Sequence, residues 1–306
     1  MLLALVAACA VTTPASAQQS PQQVTLRWKY EQGTELVYRM TNHQEAEMPA
    51  MGGTSVTDQI QTMRWRVVEV APNGDATITV TTERIQLDTR GPTGNLTFDS
   101  QTGEVPDNPQ ARLMAAMAGL SHTIVIAPDG QVKAVRGLDE LRKTMLEGMP
   151  PEAAGMMGGM LEEMFSEESM TRMMQQSVQT FPPHPVGAGE SWSNAFSMPI
   201  PMLGTMTTNL AFTVTGIERR EGRTFAVIST TGTMALDESA SSQLGAALEM
   251  RDTKLTGSID FDVDRGITVG SELSTTMQMS ITAAGNAMTV GMTQTMSLEL
   301  VEYVSA

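Results

Sequence analysis

Cysteine is all but missing from this 306-residue chain: Cys9 is the only one, and it sits in an apolar stretch near the N-terminus. Removal of that stretch would leave no disulfide, no thiolate zinc site and no cysteine nucleophile. Histidine is scarce as well. His43, His122 and His184 are the full set, and they are not at metal-ligand spacing. Basic residues number 19 against 34 acidic ones, a net charge of −15, which argues against nucleic acid and anionic membrane surfaces as partners. No membrane-spanning helix is expected, because the apolar run from Leu2 to Val11 falls short of the ~20 residues a span needs. Aromatics make up only 4%, so something else must fill the core.

The N-terminus reads as an export signal. Ala15-Ser16-Ala17 before Gln18 has the small-x-small form of a signal-peptidase site. This predicts a signal peptide over 1–17 and a periplasmic or secreted mature chain beginning at Gln18. A second reading takes Val6-Ala7-Ala8-Cys9 as resembling a lipoprotein box, with the protein anchored through a lipidated Cys9.

Most of the remainder alternates Thr, Val and Ile with turn residues, the pattern of antiparallel strands. "MRWRVVEVAPNGDATITVTTERIQLD" (63–88) turns at Pro72-Asn73-Gly74. "LAFTVTGIERREGRTFAVISTTGTMALD" (210–237) repeats its layout at an offset of roughly 148 residues. Upstream, "EQGTELVYRM" (31–40) corresponds to "GAGESWSNAF" (187–196), so that Gly33 matches Gly189 and Leu36 matches Trp192. The organisation expected is one β-rich domain over 18–306. Half one covers 24–135, a helical insert 138–180, and half two 186–304. "TFPPHPVGAGESW" (180–192) is then the entry to half two. Its prolines end the preceding helix and keep the linker extended. It lacks the second glycine of a G-x-S-x-G elbow, so a hydrolase reading gains nothing there.

"LRWKYEQGTELVY" (26–38) and "FPPHPVGAGESW" (181–192) together resemble an uncharacterised family of exported bacterial proteins and lipoproteins. That resemblance implies export and supplies no activity.

Between the halves, Asn108-Pro109 is a helix start and Gly119 a stop. A short helix is predicted from Leu138 towards Pro150-Pro151, followed by two more that break at Ser166. The last two are amphipathic and carry the oddity of the composition, its 26 methionines. Three readings stay open for these. Methionine can fill an irregular core. It can present an adaptable apolar surface. It can also ligate copper, as Met277-x-Met279 or Met157-x-x-Met160 spacing would allow, although no histidine is adjacent. The candidate ligand-binding residues are Met156, Met157, Met160, Met164, Phe165, Met170, Met173 and Met174. Asp260, Asp262 and Asp264 imitate the start of a calcium loop, but Arg265 and Ser271 stand where Gly and Glu are needed. The arginines Arg64/Arg66 and Arg219/Arg220/Arg223 read as the wet face of strands.

The fold expected is α+β: mostly antiparallel, one large curved sheet of roughly ten to twelve strands, an open half-barrel built from two repeat-like halves, with Met-rich helices over its concave face. In outline this is similar to periplasmic lipoprotein carriers, although none of their motifs is matched. No catalytic set or cofactor site can be assembled, so the expectation is a non-enzymatic cell-envelope protein that binds a lipid or other apolar molecule. The alternatives are a structural or protein-interaction module with a packed core, and methionine-based copper binding.

Overall fold

The computed structural model describes residues 22–49, 52–92, 94–147, 158–159, 166–177, 181–200, 204–237, 246–283 and 286–306. In half one the strands are β1 (Gln23–Val24), β2 (Glu35–Met48), β3 (Gly53–Val70), β4 (Ala76–Arg90), β5 (Leu96–Asp99), β6 (Ser121–Ile126) and β7 (Val132–Arg136). Half two contributes β8 (Val186–Gly187), β9 (Ser191–Ile200), β10 (Gly204–Arg220), β11 (Arg223–Asp237), β12 (Ala246–Asp262), β13 (Ile267–Ala283) and β14 (Asn286–Val304). The helices are α1 (Pro109–Met117), α2 (Asp139–Glu147) and α3 (Glu167–Ser177).

Twelve strands form one antiparallel sheet in the order β7-β6-β4-β3-β2-β14-β13-β12-β11-β10-β9, with β5 on the side of β4. The halves meet where β14 pairs with β2, from Gly291↔Glu47 to Val304↔Glu35. The sheet is therefore continuous and curls without closing, as a strongly twisted sheet of this width must. Its two edges are β7 and β9.

The repeat read in the sequence is present in the backbone. Gly33 and Gly189 both take positive φ, 92° and 88°, a conformation that a residue with Cβ adopts only at a cost. Each glycine donates its N–H to a valine carbonyl, Gly33 to Val67 at 2.9 Å and Gly189 to Val214 at 2.7 Å. Each valine returns a bond to the residue after the glycine, Val67 N to Thr34 O and Val214 N to Glu190 O. A bulge follows at both places, between Val67 and Glu69 and between Val214 and Gly216. The two hairpin tips differ. Half one uses an Asx turn in which Asn73 Oδ1 accepts from Asp75 N. Half two uses Glu221 and Gly222 with φ of 52° and 81°, the two-residue turn that suits strand twist.

Residues 22–31 were not anticipated as a structural device. They run as a strap that ties the halves together. β1 pairs with β8. Trp28 N bonds Pro128 O in half one at 2.8 Å, while Lys29 N bonds Gly266 O in half two at 3.0 Å. The Lys29 ammonium reaches Val263 O at 2.8 Å. Leu26 is fully buried in a core with Phe212, Val214, Ile228 and Phe261, a burial worth about 2–3 kcal/mol. A Cβ on Gly266 would lie 2.5 Å from Lys29 N and 2.6 Å from Arg27 O, so the strap can pass only because this turn has no side chain.

The helices cover half one and the gap. In α1 the N-cap Asn108 accepts from Gln110 N and Ala111 N, with Pro109 in the first turn, and its Ala111, Met114 and Met117 pack on Ile85, Leu87 and Phe98. α3 lies along β7 and also touches β9, so it spans the opening between the two sheet edges. Thr171 Oγ1 accepts the Val135 N–H at 2.9 Å, which occupies part of an edge that would otherwise invite another strand. The start expected for α2, and the helix after Ser166, agree with the structure; Ser166 Oγ accepts from Ser169 N. The expected ends at Pro150-Pro151 and the helix over 152–165 lie outside the described residues, apart from Gly158 and Gly159.

Candidate functional site

Because side chains alternate across a strand, the register assigns every strand residue to the inside or the outside of the curve. One inner row runs Trp192, Phe212, Thr230, Gly257, Leu273, Met296, Asn42, Gln59 and Leu87. The neighbouring row towards the strap includes Ile228, Ile259, Ser271, Leu298, Met40 and Gln61. The outer face is mostly Thr, Ser and charge, among them Thr41, His43, Arg64, Thr81, Thr207, Thr231, Thr256 and Glu272, with Val56 and Ile60 as apolar exceptions. An apolar inside and a polar outside is the inverse of a lipid-embedded barrel, whose outer band is apolar. No helix among the described residues is long and apolar enough to cross a membrane.

In half two the described residues do not fill this inner face. A cavity of about 850 Å³ opens there, lined by Met40 and Trp65 from half one, by Leu210, Phe212, Ile259, Leu273, Met296 and Leu298, and by edge strand β9 over 193–197. Its size falls within the range of small-molecule sites. Met296 shows the vacancy directly, since it points inwards and still has 37% of its surface exposed. The strap makes the base. Trp28 and Tyr30 line the cavity, and behind Trp28 stand Tyr30, Phe181 and Phe261 at ring-centroid distances of 6.0, 5.7 and 5.5 Å. Away from the base the inner face becomes more polar. Gln294 donates to Asn42 Oδ1 at 2.8 Å, and Gln44 donates to Met292 Sδ at 3.3 Å.

Electrostatically the cavity is bare. Among the described residues its lining has no Lys, Arg or His, and the one acidic residue, Glu272, takes the outward register opposite Ser258 and Ser297. Burial pushes the Tyr30 hydroxyl well above its ordinary pKa and does the same to Tyr38, whose hydroxyl donates to Thr268 O at 3.0 Å. Both stay neutral phenols. Low-dielectric surroundings penalise charge in this way wherever no counter-charge answers it.

The candidate residues read from the sequence are placed as follows. Met170 and Met174 pack against the core of half one, beside Val135 and Leu138, and not in the cavity wall. Met156, Met157, Met160, Met164 and Phe165, and the side chain of Met173, lie outside the described residues. The methionines that do face inwards come from the strands. Met40, Met63, Met206, Met234, Met250, Met277, Met279, Met292 and Met296 all take the inner register. A signal for this was available. Met277 and Met279, Met292 and Met296, and Met206 with Leu210 and Phe212 share parity within their strands.

The other features are structural. Asp262 is fully buried, pairs with Arg223, and accepts from Asp264 N and Arg265 N, so it organises a turn. Arg64 pairs with Glu35 and Glu83, Arg66 with Glu35, and Arg220 with Asp260 and Glu218. Trp192 stacks on Phe212 at 5.4 Å and packs against the half-two core, as expected for a strand-entry plug. Among the described residues no three His, Cys, Asp or Glu side chains are grouped to hold a metal.

A search of curated proteins finds no match to the sequence. Among solved structures, the chain is similar to one described as lipid–protein interactions in lipovitellin, at 10% identity and a TM-score of 0.49, covering 91% of this chain and 26% of that one. The chain thus spans about a quarter of the lipovitellin chain. It is also similar to a putative exported protein with a YmcC-like fold from Bacteroides fragilis, at 9% identity and a TM-score of 0.27, over 92% of this chain and 100% of that one. DynF from the dynemicin biosynthesis pathway of Micromonospora chersina matches at 8% identity and a TM-score of 0.20, over 94% and 92%. Likenesses this distant carry no functional argument. The family match is firmer. It runs over residues 73–268, taking in β4 to β12 and the "FPPHPVGAGESW" entry, while "LRWKYEQGTELVY" precedes it, and on that match the chain belongs to the Family of unknown function (DUF6263).

Proposed function

We propose that this is a non-enzymatic protein of the cell envelope that holds a lipid or other apolar molecule inside its curved sheet. The observation that carries the reading is the cavity of about 850 Å³ with a wall of Leu, Ile, Phe and Met side chains. An unfilled apolar space is costly to a folded protein, because its lining forgoes contacts that a packed core would make. Methionine suits such a wall, since its unbranched, polarisable side chain adapts to ligands of differing shape. The expected export, from the Ala15-Ser16-Ala17 site, would put the protein where envelope lipids are handled.

An environment-sensitive fatty-acyl probe added to the purified chain tests this. Saturable binding at micromolar probe is expected, weakened when Leu273 or Met296 is changed to glutamate while the far-ultraviolet circular dichroism is unchanged. Absence of saturable binding at tens of micromolar would leave a structural or interaction module with a loosely packed interior.

A further inference from the structure

Four of the inward methionines form a group of their own, at the end of the sheet away from the strap. Met277 of β13 stands opposite Met292 of β14. Met279, next to Met277 on the same face, stands opposite Met250 of β12. None of the four lines the cavity. Met277 and Met292 lie about 13 Å along their strands from Leu273 and Met296, which do. All four are half-buried, so the group is open to small ions. Core filling does not account for it, because a residue placed to fill a core is enclosed, and strand preference favours Val, Ile or Thr at such positions.

A thioether sulfur is soft and uncharged, and several of them around one ion suit Cu(I) in preference to harder divalent cations. The register puts these sulfurs within reach of a common point. Directly opposed residues of an antiparallel pair have Cβ atoms about 4.5–5.5 Å apart, and diagonal neighbours about 7–8 Å. Met277, Met279 and Met292 therefore mark a triangle no longer on any side than that diagonal. Each sulfur stands two bonds beyond its Cβ on an unbranched, freely turning side chain, so all three can face an ion above the centre of the triangle. Met250 reaches the same space from across Met279. One sulfur is already held: the Gln44 side-chain amide donates to Met292 Sδ at 3.3 Å, which leaves its second lone pair for a metal. The net charge of −15 draws cations to the surface. We infer that Met277, Met279 and Met292, with Met250 as a fourth ligand, form a binding site for a soft monovalent cation, Cu(I) or Ag(I), separate from the apolar cavity.

The test uses the full chain carrying Cys9→Ser, so that no thiol competes, and Cu(I) supplied without oxygen against a chromophoric Cu(I) chelator. One tightly held Cu(I) is expected, of micromolar affinity or better, with sulfur neighbours in its X-ray absorption spectrum and no displacement by Zn(II). Met277→Leu, Met279→Leu and Met292→Leu conserve volume and should leave the fold intact. Each should weaken Cu(I) binding about tenfold or more, while Met40→Leu, in the cavity wall, should leave it unchanged. Failure to bind Cu(I), binding that the three variants do not alter, or a metal shell of nitrogen and oxygen alone would overturn the inference. The three variants should take up the fatty-acyl probe as the parent chain does, so the copper site and the apolar-ligand reading stand or fall separately.

Discussion

The two halves start alike and end differently. Gly33 and Gly189, Val67 and Val214, and the paired Leu36–Trp65 and Trp192–Phe212 occupy matching places at the start of each curved hairpin. In half one the inner face is then consumed. Val67, Ile78, Ile124, Val135 and Leu138 form a closed core with Met170 and Met174 of α3 against it, and α1 covers Ile85 and Leu87. In half two the long strands β10 to β14 carry no described helix on the same face, and the space stays open above Phe212 and Ile259. Among the described residues, one repeat thus serves as the helix-covered support and the other as the container of the cavity. What separates them is less the strands than the segments between strands: α1, the β6–β7 hairpin, α2 and α3 stand between β5 and β8, while among the described residues no helix stands between the strands from β9 to β14.

Core truncation should split the comparison most sharply. Ile78→Ala, at a fully buried side chain in the core of half one, is expected to cost about 2–5 kcal/mol. Met296→Ala, at an inner position facing empty space, should cost about 1 kcal/mol or less. Urea unfolding of both variants checks this, and equal losses would mean that half two is as tightly packed as half one.

The strap comes next. Gly266→Val places a side chain against Lys29 N and Arg27 O at a positive-φ turn, with an expected loss of about 3 kcal/mol or more. Gly222→Ala, also at positive φ but with nothing within 4 Å of its Cβ, should lose about 1 kcal/mol. Similar melting temperatures for the two would show that the strap does not tie the halves.

Filling the container is the third expectation. A ligand at a hundred times its dissociation constant should stabilise the fold by about 2.7 kcal/mol. Hydrogen exchange should slow along β9 to β13 more than along β4 and β6. Uniform protection would remove the distinction between support and container.

The smallest effects are those of pH. His122 faces the inner side opposite Val80, and burial lowers its pKa. Its contribution is therefore present above the ordinary imidazole range and lost as pH falls. His43, on the outer face, bonds Asp58 at 2.6 Å and Glu45 at 3.3 Å, and these carboxylates raise its pKa. Its contribution is present at low pH and lost as pH rises through the raised value, and solvent screening keeps it small. Nuclear magnetic resonance titration of the two imidazoles should give midpoints on opposite sides of the unperturbed value.

Much of the scaffold was legible because it depends on local chemistry. Alternating Thr, Val and Ile mark strands wherever they stand, Asn108-Pro109 caps a helix in any fold, and Gly33 and Gly189 announce turns that only glycine makes cheaply. The continuous sheet and its repeat followed from these. The strap was not legible, because Leu26 and Trp28 read as an ordinary strand until Pro128 and Gly266, far along the chain, bring their carbonyls to it. The site was only half legible. The methionines stand out in the composition, but composition does not say which of them, on helices or on strands, share a face of the sheet.

By itself, then, the sequence determined the strand-rich class, the two-part plan and a surplus of soft apolar side chains. Tertiary structure alone decided which of those side chains share a space. Period-two alternation puts a residue on one of two faces and says nothing about which face curls inwards or how far the opposite wall stands. That is settled by twist summed over twelve strands, by the strap that seals one end, and by the described helices, which pack on the core of half one.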